Sequence, residues 1–261
     1  MKKIELDHVD FAYGNNLVLK DISLSVHQGE IVSIIGPSGV GKTTLFNLIA
    51  GILPAQAGKI LVDGEENPRG KVSYMLQKDL LLEHKTILGN VILPLTIRGV
   101  KKAEAIRQAD DLLAAFSLKD VRDRYPYELS GGMRQRIALL RTYLFGQDLF
   151  LLDEAFSALD ELTKMTLHDW YLAIHEQLKL TTILITHSID EAIKLSNRVY
   201  VLNHKPGQIV AELTMDWQEA DQPELEKLRY KEEILGLLGL KNYAKRLVRA
   251  FFLCYTIPCV K

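Results

Sequence analysis

The sequence predicts an α/β protein built on a parallel sheet, and its runs at residues 31–35, 149–152 and 181–186 carry that prediction. Each is short and almost wholly apolar or β-branched, the composition of a strand buried on both faces. Each leads through a turn into a helical pattern, the alternation that feeds parallel strands through helical crossovers. With 261 residues, 48% of them hydrophobic and 25% charged, the chain has ample core for one large domain with subdomains and a tail. Thirty-two basic against 33 acidic residues leave a net charge of −1, so no basic field marks nucleic acid as the partner. Two cysteines, Cys254 and Cys259, are too few for a disulfide framework or a complete zinc site. The strand-like alternation of residues 4–9 follows Met1-Lys2-Lys3 at once, where a secretory leader would have an apolar core. The greasiest stretch, residues 250–260, is short and broken by Pro258, so a membrane role has to come through a partner.

Ile4, Leu6 and Val9 begin a strand, and residues 18–26 alternate again before the turn His27-Gln28-Gly29-Glu30, which predicts an antiparallel flap. Between them Tyr13 has two readings, a ring that stacks on a flat base or a half-buried hairpin tyrosine. Residues 31–51, IVSIIGPSGVGKTTLFNLIAG, run from strand to glycine-rich turn to helix. Without Cβ atoms at Gly36, Gly39 and Gly41, the backbone can wrap an anion and aim successive N–H groups at it. The helix that follows adds its own unpaired N–H groups and positive dipole end. Lys42 supplies a charge for β- and γ-phosphates and Thr43 a hydroxyl suited to Mg²⁺, completing G-x-x-x-x-G-K-[ST]. Leu45, Leu48 and Ile49 pack inward, and Gly51 stops the helix. The cradle alone does not fix the task, because such loops serve many activities.

Residues 59–62, Asp63-Gly64 and residues 71–75 read as strand, turn and strand. Gln77 at the strand end reaches a metal or a water, or is a plain surface glutamine. Ile106, Ala109, Leu112, Leu113 and Phe116 mark an amphipathic helix over residues 101–118, inside a helical subdomain of about residues 89–124. Leu129-Ser130-Gly131-Gly132-Met133 then opens a helix pattern through residue 144. Ser130 and the two glycines make either an ordinary capped helix or a second anion-receptive N-terminus, redundant unless it meets a phosphate the first loop does not hold.

The run 149–152 delivers Asp153 and Glu154 at its C-terminal end, where open α/β sheets place ligand chemistry. Asp153 suits Mg²⁺ through water and Glu154 suits an attacking water. Ser157-Ala158-Leu159-Asp160 turns into another helix, through residue 177. The strand over residues 181–186 ends in His187, which can hold a γ-phosphate or an attacking water, and Ser188 with Glu191 predicts a capping box. Pro206-Gly207 marks a turn before residues 208–213. In the tail, Pro223 with Leu225, Leu228, Ile234, Leu235 and Leu238 predicts one amphipathic helix packed on the domain.

With these motifs in this order, the chain closely resembles the ATP-binding subunit of an ABC transporter over residues 1–213. The resemblance implies a P-loop NTPase (RecA-like) core with an antiparallel β subdomain and an inserted α-helical subdomain. It leaves residues 214–261 as a C-terminal tail. It also implies that Tyr13 stacks on adenine and that Gly36, Pro37, Ser38, Gly39, Val40, Gly41, Lys42, Thr43 and Thr44 bind the phosphates of ATP. Thr43, Gln77 and Asp153 then surround Mg²⁺, partly through water, while Gln77 also senses the membrane partner. Glu154 is the implied catalytic base and His187 the γ-phosphate contact.

Two copies are implied to meet head to tail, so that Ser130, Gly131 and Gly132 of one close over ATP held by the other. Binding then drives closure and hydrolysis releases it. The phrases YPYELSGGMRQRIALLRT, LLDEAFSALDELTK and THSIDEAIKLSNRVYVLNHKPGQIV, with Met133, look like the importer branch that handles nitrate, sulfonates, taurine and thiamine-precursor pyrimidines. That branch implies a peripheral ATPase on the cytoplasmic face of the cell membrane, under integral permease subunits and served by an external substrate-binding protein. Glu83-His84, where the branch often has Pro-Trp, and Thr142, where alanine is usual, depart from it. Two other classes compete: a small-molecule P-loop kinase, which leaves Ser130–Gly132 and His187 without work, and a soluble ABC ATPase outside transport. ATPase activity without an added acceptor discriminates against the first, and co-purification with membrane proteins against the second.

Overall fold

A computed structural model describes residues 1–157 and 159–240. Residues 250–260 and both cysteines lie outside the described residues. In chain order come β1 (Lys2–Tyr13), β2 (Asn16–His27), β3 (Ile31–Ile35), α1 (Lys42–Ile49), β4 (Ala57–Val62) and β5 (Ser73–Met75). The helical stretch holds α2 (Ile87–Val91), α3 (Leu93–Ile97), α4 (Lys102–Ala115) and α5 (Gly131–Tyr143). After it follow β6 (Leu149–Asp153), α6 (Glu161–Leu178), β7 (Thr181–Thr186), α7 (Ile189–Leu195), β8 (Arg198–Asn203), β9 (Gln208–Thr214) and α8 (Pro223–Leu237).

Among the described residues the strands form two sheets. One is antiparallel in the order β2-β1-β4, and the other runs β5-β6-β7-β3-β8-β9, parallel except for β9. Every residue of β3, β6 and β7 is buried, as their apolar runs require. Alternation along β6 feeds two cores: Phe150 and Leu152 face the helical side, Leu149 and Leu151 the side of α1 and the antiparallel sheet. A third cluster joins β8 and α7 to α8 through Val199, Val201, Ile193 and Ile234.

Residues 59–62 and 71–75, read from the sequence as strand, turn and strand, enter different sheets, because β4 pairs with β1 while β5 takes the edge beside β6. β8 received no assignment from the sequence, although its interior is wholly buried. Its neighbour α7 spans only seven residues, so the pattern there offers little period to read. Among the described residues no helix is long and apolar enough to cross a membrane.

The sheet order matters for chemistry. β6, β7 and β3 are adjacent and parallel, with Asp153 paired to Ile185 and Thr186 paired to Ile35. The residues that follow these three strands therefore emerge side by side at one edge of the sheet.

Candidate active site

The glycine turn after β3 is shaped by its surroundings. A Cβ on Gly36 would lie 2.3 Å from the Leu202 carbonyl oxygen, and Gly39 and Gly41 adopt φ of 76° and 113°. Side chains are excluded at the first position by space and at the other two by backbone conformation. α1 starts at Gly41 with no side-chain cap and no acidic residue in its first turn, so its leading N–H groups are left for an anion. Lys42 is buried, and its Nζ donates to the carbonyls of Gly36 at 2.8 Å and Pro37 at 3.0 Å. Burial pushes this ammonium below its usual pKa against the attraction of Glu154 and Asp153.

A cleft of about 500 Å³ opens here, walled by Ser38, Gly39, Gly41, Lys42, Thr43 and Thr44. Glu154, His187 and Val18 of β2 complete its lining. Backbone hydrogen bonds between Val18, Lys20 and Gly207 tie that hairpin to the turn after β8.

Asp153, the last residue of β6, is buried and accepts a hydrogen bond from the Tyr74 hydroxyl at 3.3 Å. Burial raises its pKa; the Tyr74 hydrogen bond, Lys42 and Thr43 work against the rise, while the Glu154 charge adds to it. Burial and the Asp153 carboxylate push the Tyr74 hydroxyl well above the usual phenol range. Sequence reasoning missed Tyr74, whose only signal was a polar-tipped residue inside the short strand β5.

Glu154 leaves the sheet with φ of 48°, a conformation that costs a non-glycine residue on the order of 1 kcal/mol. Its N–H donates to Ile185 O at 2.9 Å, and its carbonyl accepts from Ser157 Oγ at 2.9 Å. These bonds hold the side chain outward. Its Oε2 accepts from Gln77 Nε2 at 3.0 Å and lies 3.6 Å from His187 Nδ1. Gln77 also reaches Ser157 Oγ at 3.4 Å, a contact the sequence did not suggest.

Cradle, Asp153, Glu154, His187 and Gln77 thus converge within one chain. Tyr13 and Ser130–Gly132 do not. Tyr13 is 51% exposed, packs edge-on against Phe11, and stands outside the cleft lining. Ser130 is exposed and accepts from Met133 N–H at 3.4 Å at the start of α5. Gly131 and Gly132 let this end of α5 approach α6, since added Cβ atoms would meet Leu159 at 3.2 Å and Thr163 at 2.6 Å. The converged part offers N–H donors and one ammonium to a polyphosphate, and one carboxylate beside an imidazole to a water.

The family model described as ABC transporter matches residues 19–157, more than half of the chain. The chain belongs to the ABC transporter family. It is 39% identical over 242 residues to the formylaminopyrimidine import ATP-binding protein ThiZ of Halalkalibacterium halodurans, covering 90% of this chain and 96% of that protein. With the taurine import ATP-binding protein TauB of Jannaschia sp. it shares 37% identity over 235 residues, covering 86% and 88%. The fold matches the ATP-binding cassette MJ0796, solved as a dimer bound to ADP and Pi, at a TM-score of 0.69 and 27% identity over 81% of this chain and 98% of that one. The protein is accordingly an ATP-binding ABC subunit and an ATPase with a P-loop core, and ThiZ and TauB are import ATP-binding proteins.

Proposed function

We propose that this ABC subunit works as a head-to-tail homodimer on the cytoplasmic face of a membrane, hydrolysing ATP to drive uptake of a small solute through permease subunits fed by an external binding protein. One observation carries the hydrolytic half of this reading: Glu154 Oε2 sits 3.0 Å from Gln77 and 3.6 Å from His187, in the same cleft as the Lys42 cradle. The import half rests on the relatives, whose names cite formylaminopyrimidine and taurine. Small nitrogen- or sulfur-containing organic solutes are therefore the proposed class, and the chain need not touch them. The cassette spans residues 1–213, with its helical subdomain at about residues 89–124 and the Ser130 region to residue 144; residues 214–261 form an appended tail.

In this reading the backbone N–H groups of Gly36 and of Ser38 to Thr44 and the Lys42 ammonium hold the phosphates, and Tyr13 stacks on adenine. The residues also fit a divalent cation. Asp153 is a buried carboxylate beside a second one, and burial raises its pKa, with the Thr43 hydroxyl and Gln77 amide as further oxygen donors. Mg²⁺, when bound, supplies positive charge against the phosphate oxygens. Glu154 orients a water and accepts its proton as the water oxygen bonds to the γ-phosphorus and the bond to ADP breaks. His187 donates a hydrogen bond to the γ-phosphoryl group, and Ser130, Gly131 and Gly132 of a second copy close the site.

Glu154→Gln keeps the shape and the Gln77 contact but removes the base. It should bind ATP with unchanged affinity and lose about 10²–10⁴-fold in kcat. Unchanged turnover contradicts the mechanism.

A further inference from the structure

One buried titratable pair has no part in the chemistry above. His168 on α6 and Glu191 on α7 have side chains only 8% and 6% exposed, and His168 Nε2 lies 2.9 Å from Glu191 Oε1. Glu191 is the third residue of α7, placed to complete a capping box with Ser188. Only half of that box forms: Ser188 Oγ accepts from the Glu191 N–H at 3.3 Å, while the Ser188 N–H is taken by Thr186 Oγ1 at 3.0 Å. The Glu191 carboxylate has turned from the helix end to the imidazole of the neighbouring helix.

That imidazole has a second contact. It packs edge-on against Phe156, with ring centroids 5.0 Å apart at 82°. Phe156 is 1% exposed and lies two residues after Glu154, while Glu191 lies four residues after His187. A single buried ring therefore touches both the turn that aims Glu154 and the helix that begins behind His187. Farther along α6, Tyr171 bonds Thr182 Oγ1 at 2.6 Å and pins the same helix to β7.

We infer that His168 is a positioning residue: with Glu191 it forms a buried brace that holds His187 and Glu154 side by side at their working separation beside the cleft. The inference rests on the proposed roles of those two residues and adds a group that contacts neither ATP nor water. Packing of Phe156 and a directed hydrogen bond to Glu191 act on the two segments at once. Loss of the brace lets them move independently, and a misplacement of about 1 Å at a reacting group costs on the order of a hundredfold in rate.

The test uses the full chain with ATP and Mg²⁺. His168→Leu keeps an apolar contact for Phe156 but withdraws the partner of Glu191, and should lower kcat roughly ten- to a hundredfold with KM for ATP nearly unchanged. His168→Gln, whose amide still reaches a carboxylate, should recover most of that loss. In the His187→Ala background His168→Leu should cost clearly less than it does alone, because one of the two groups it positions is already absent. Losses that multiply in full in the double variant overturn the brace, whereas full activity of His187→Ala alone overturns the proposed role of His187 instead.

A readout without nucleotide separates these failures. The ring resonances of His187 in the NMR spectrum of the unliganded protein should shift or broaden in His168→Leu and return in His168→Gln; unchanged resonances in His168→Leu overturn the brace whatever the rate. Glu191→Asp, which draws the carboxylate back by one methylene, reads the same contact from the other helix and serves if His168→Leu does not fold. It should perturb the same resonances, and an unaltered His187 signal again overturns the inference.

Discussion

Two helix starts in this chain look alike in sequence and differ in what surrounds them. Glycine stands at both starts, Gly41 just ahead of α1 and Gly131 as the first residue of α5, and both present leading N–H groups. At α1 no side chain caps those groups, and Lys42, Thr43, Glu154 and His187 line the same cleft. At α5 an exposed Ser130 caps the helix, and neither it nor the glycines after it line that cleft. One start has the chemistry and the other has a shape without chemistry. The difference teaches that a motif read as anion-binding needs its neighbours before it has a task, and in the proposed dimer α5 acquires one only against another molecule. The relative MJ0796 is a dimer bound to ADP and Pi.

The largest expected effect comes from disarming the equipped start. Lys42→Ala removes a buried ammonium from the cradle and should weaken ATP binding by on the order of a hundredfold or more, read by equilibrium titration. Ser130→Ala addresses the other start. It should lower thermal stability by about 1 kcal/mol through the lost cap. It should leave ATP affinity of the monomer unchanged while slowing hydrolysis. A parallel loss of monomer affinity would mean that α5 serves its own chain's site and would erase the contrast.

The smallest effect concerns the ion pairs that support each region. Glu30, ahead of β3, is bonded to Arg198 at 2.5 and 2.8 Å, and Asp79 is held bidentately by Arg134 of α5 at 2.9 and 3.1 Å. Burial works to raise both carboxyl pKa values, but the arginines and backbone N–H groups outweigh it and hold both below the ordinary range. A carboxylate with a depressed folded pKa contributes stability that is fully present above its unfolded value. That contribution disappears as pH falls through the folded value. Tm should therefore decline as pH drops below about 4, and Asp79→Asn should flatten part of that decline. A Tm independent of pH between about 5 and 2 would show that neither pair matters to stability.

Much of the equipped region was readable in the sequence because its parts are local. Gly36 to Thr44 are contiguous, and Asp153-Glu154 and His187 each end an apolar run, so strand type and position suffice to bring them to one edge. Contacts that depend on packing were not readable. The Tyr74 hydroxyl on Asp153, the Ser157 contact of Gln77, and the turn of Glu191 from its own helix end to His168 join residues far apart in sequence. β4 and β5 show the same limit for the fold: their strand character is local, but which sheet each enters is decided by partners elsewhere. Ser130–Gly132 was legible as a helix start; its part in a site is an expectation from family resemblance and a proposal. A single chain contains no partner to complete it.

The central claim, that the bare shape at α5 completes the equipped cleft of a second copy, is tested most directly by sedimentation of Glu154→Gln with ATP and Mg²⁺, alone and combined with Gly131→Asp. An aspartate in the first turn of α5 favours that helix through its dipole, and its Cβ meets only the end of the Leu159 side chain, so the fold should be retained. Its charge repels a phosphate. The account predicts a dimer for Glu154→Gln and a monomer with ATP still bound for the double variant. A double variant that remains dimeric, or a Glu154→Gln protein that binds ATP yet stays monomeric, would contradict it.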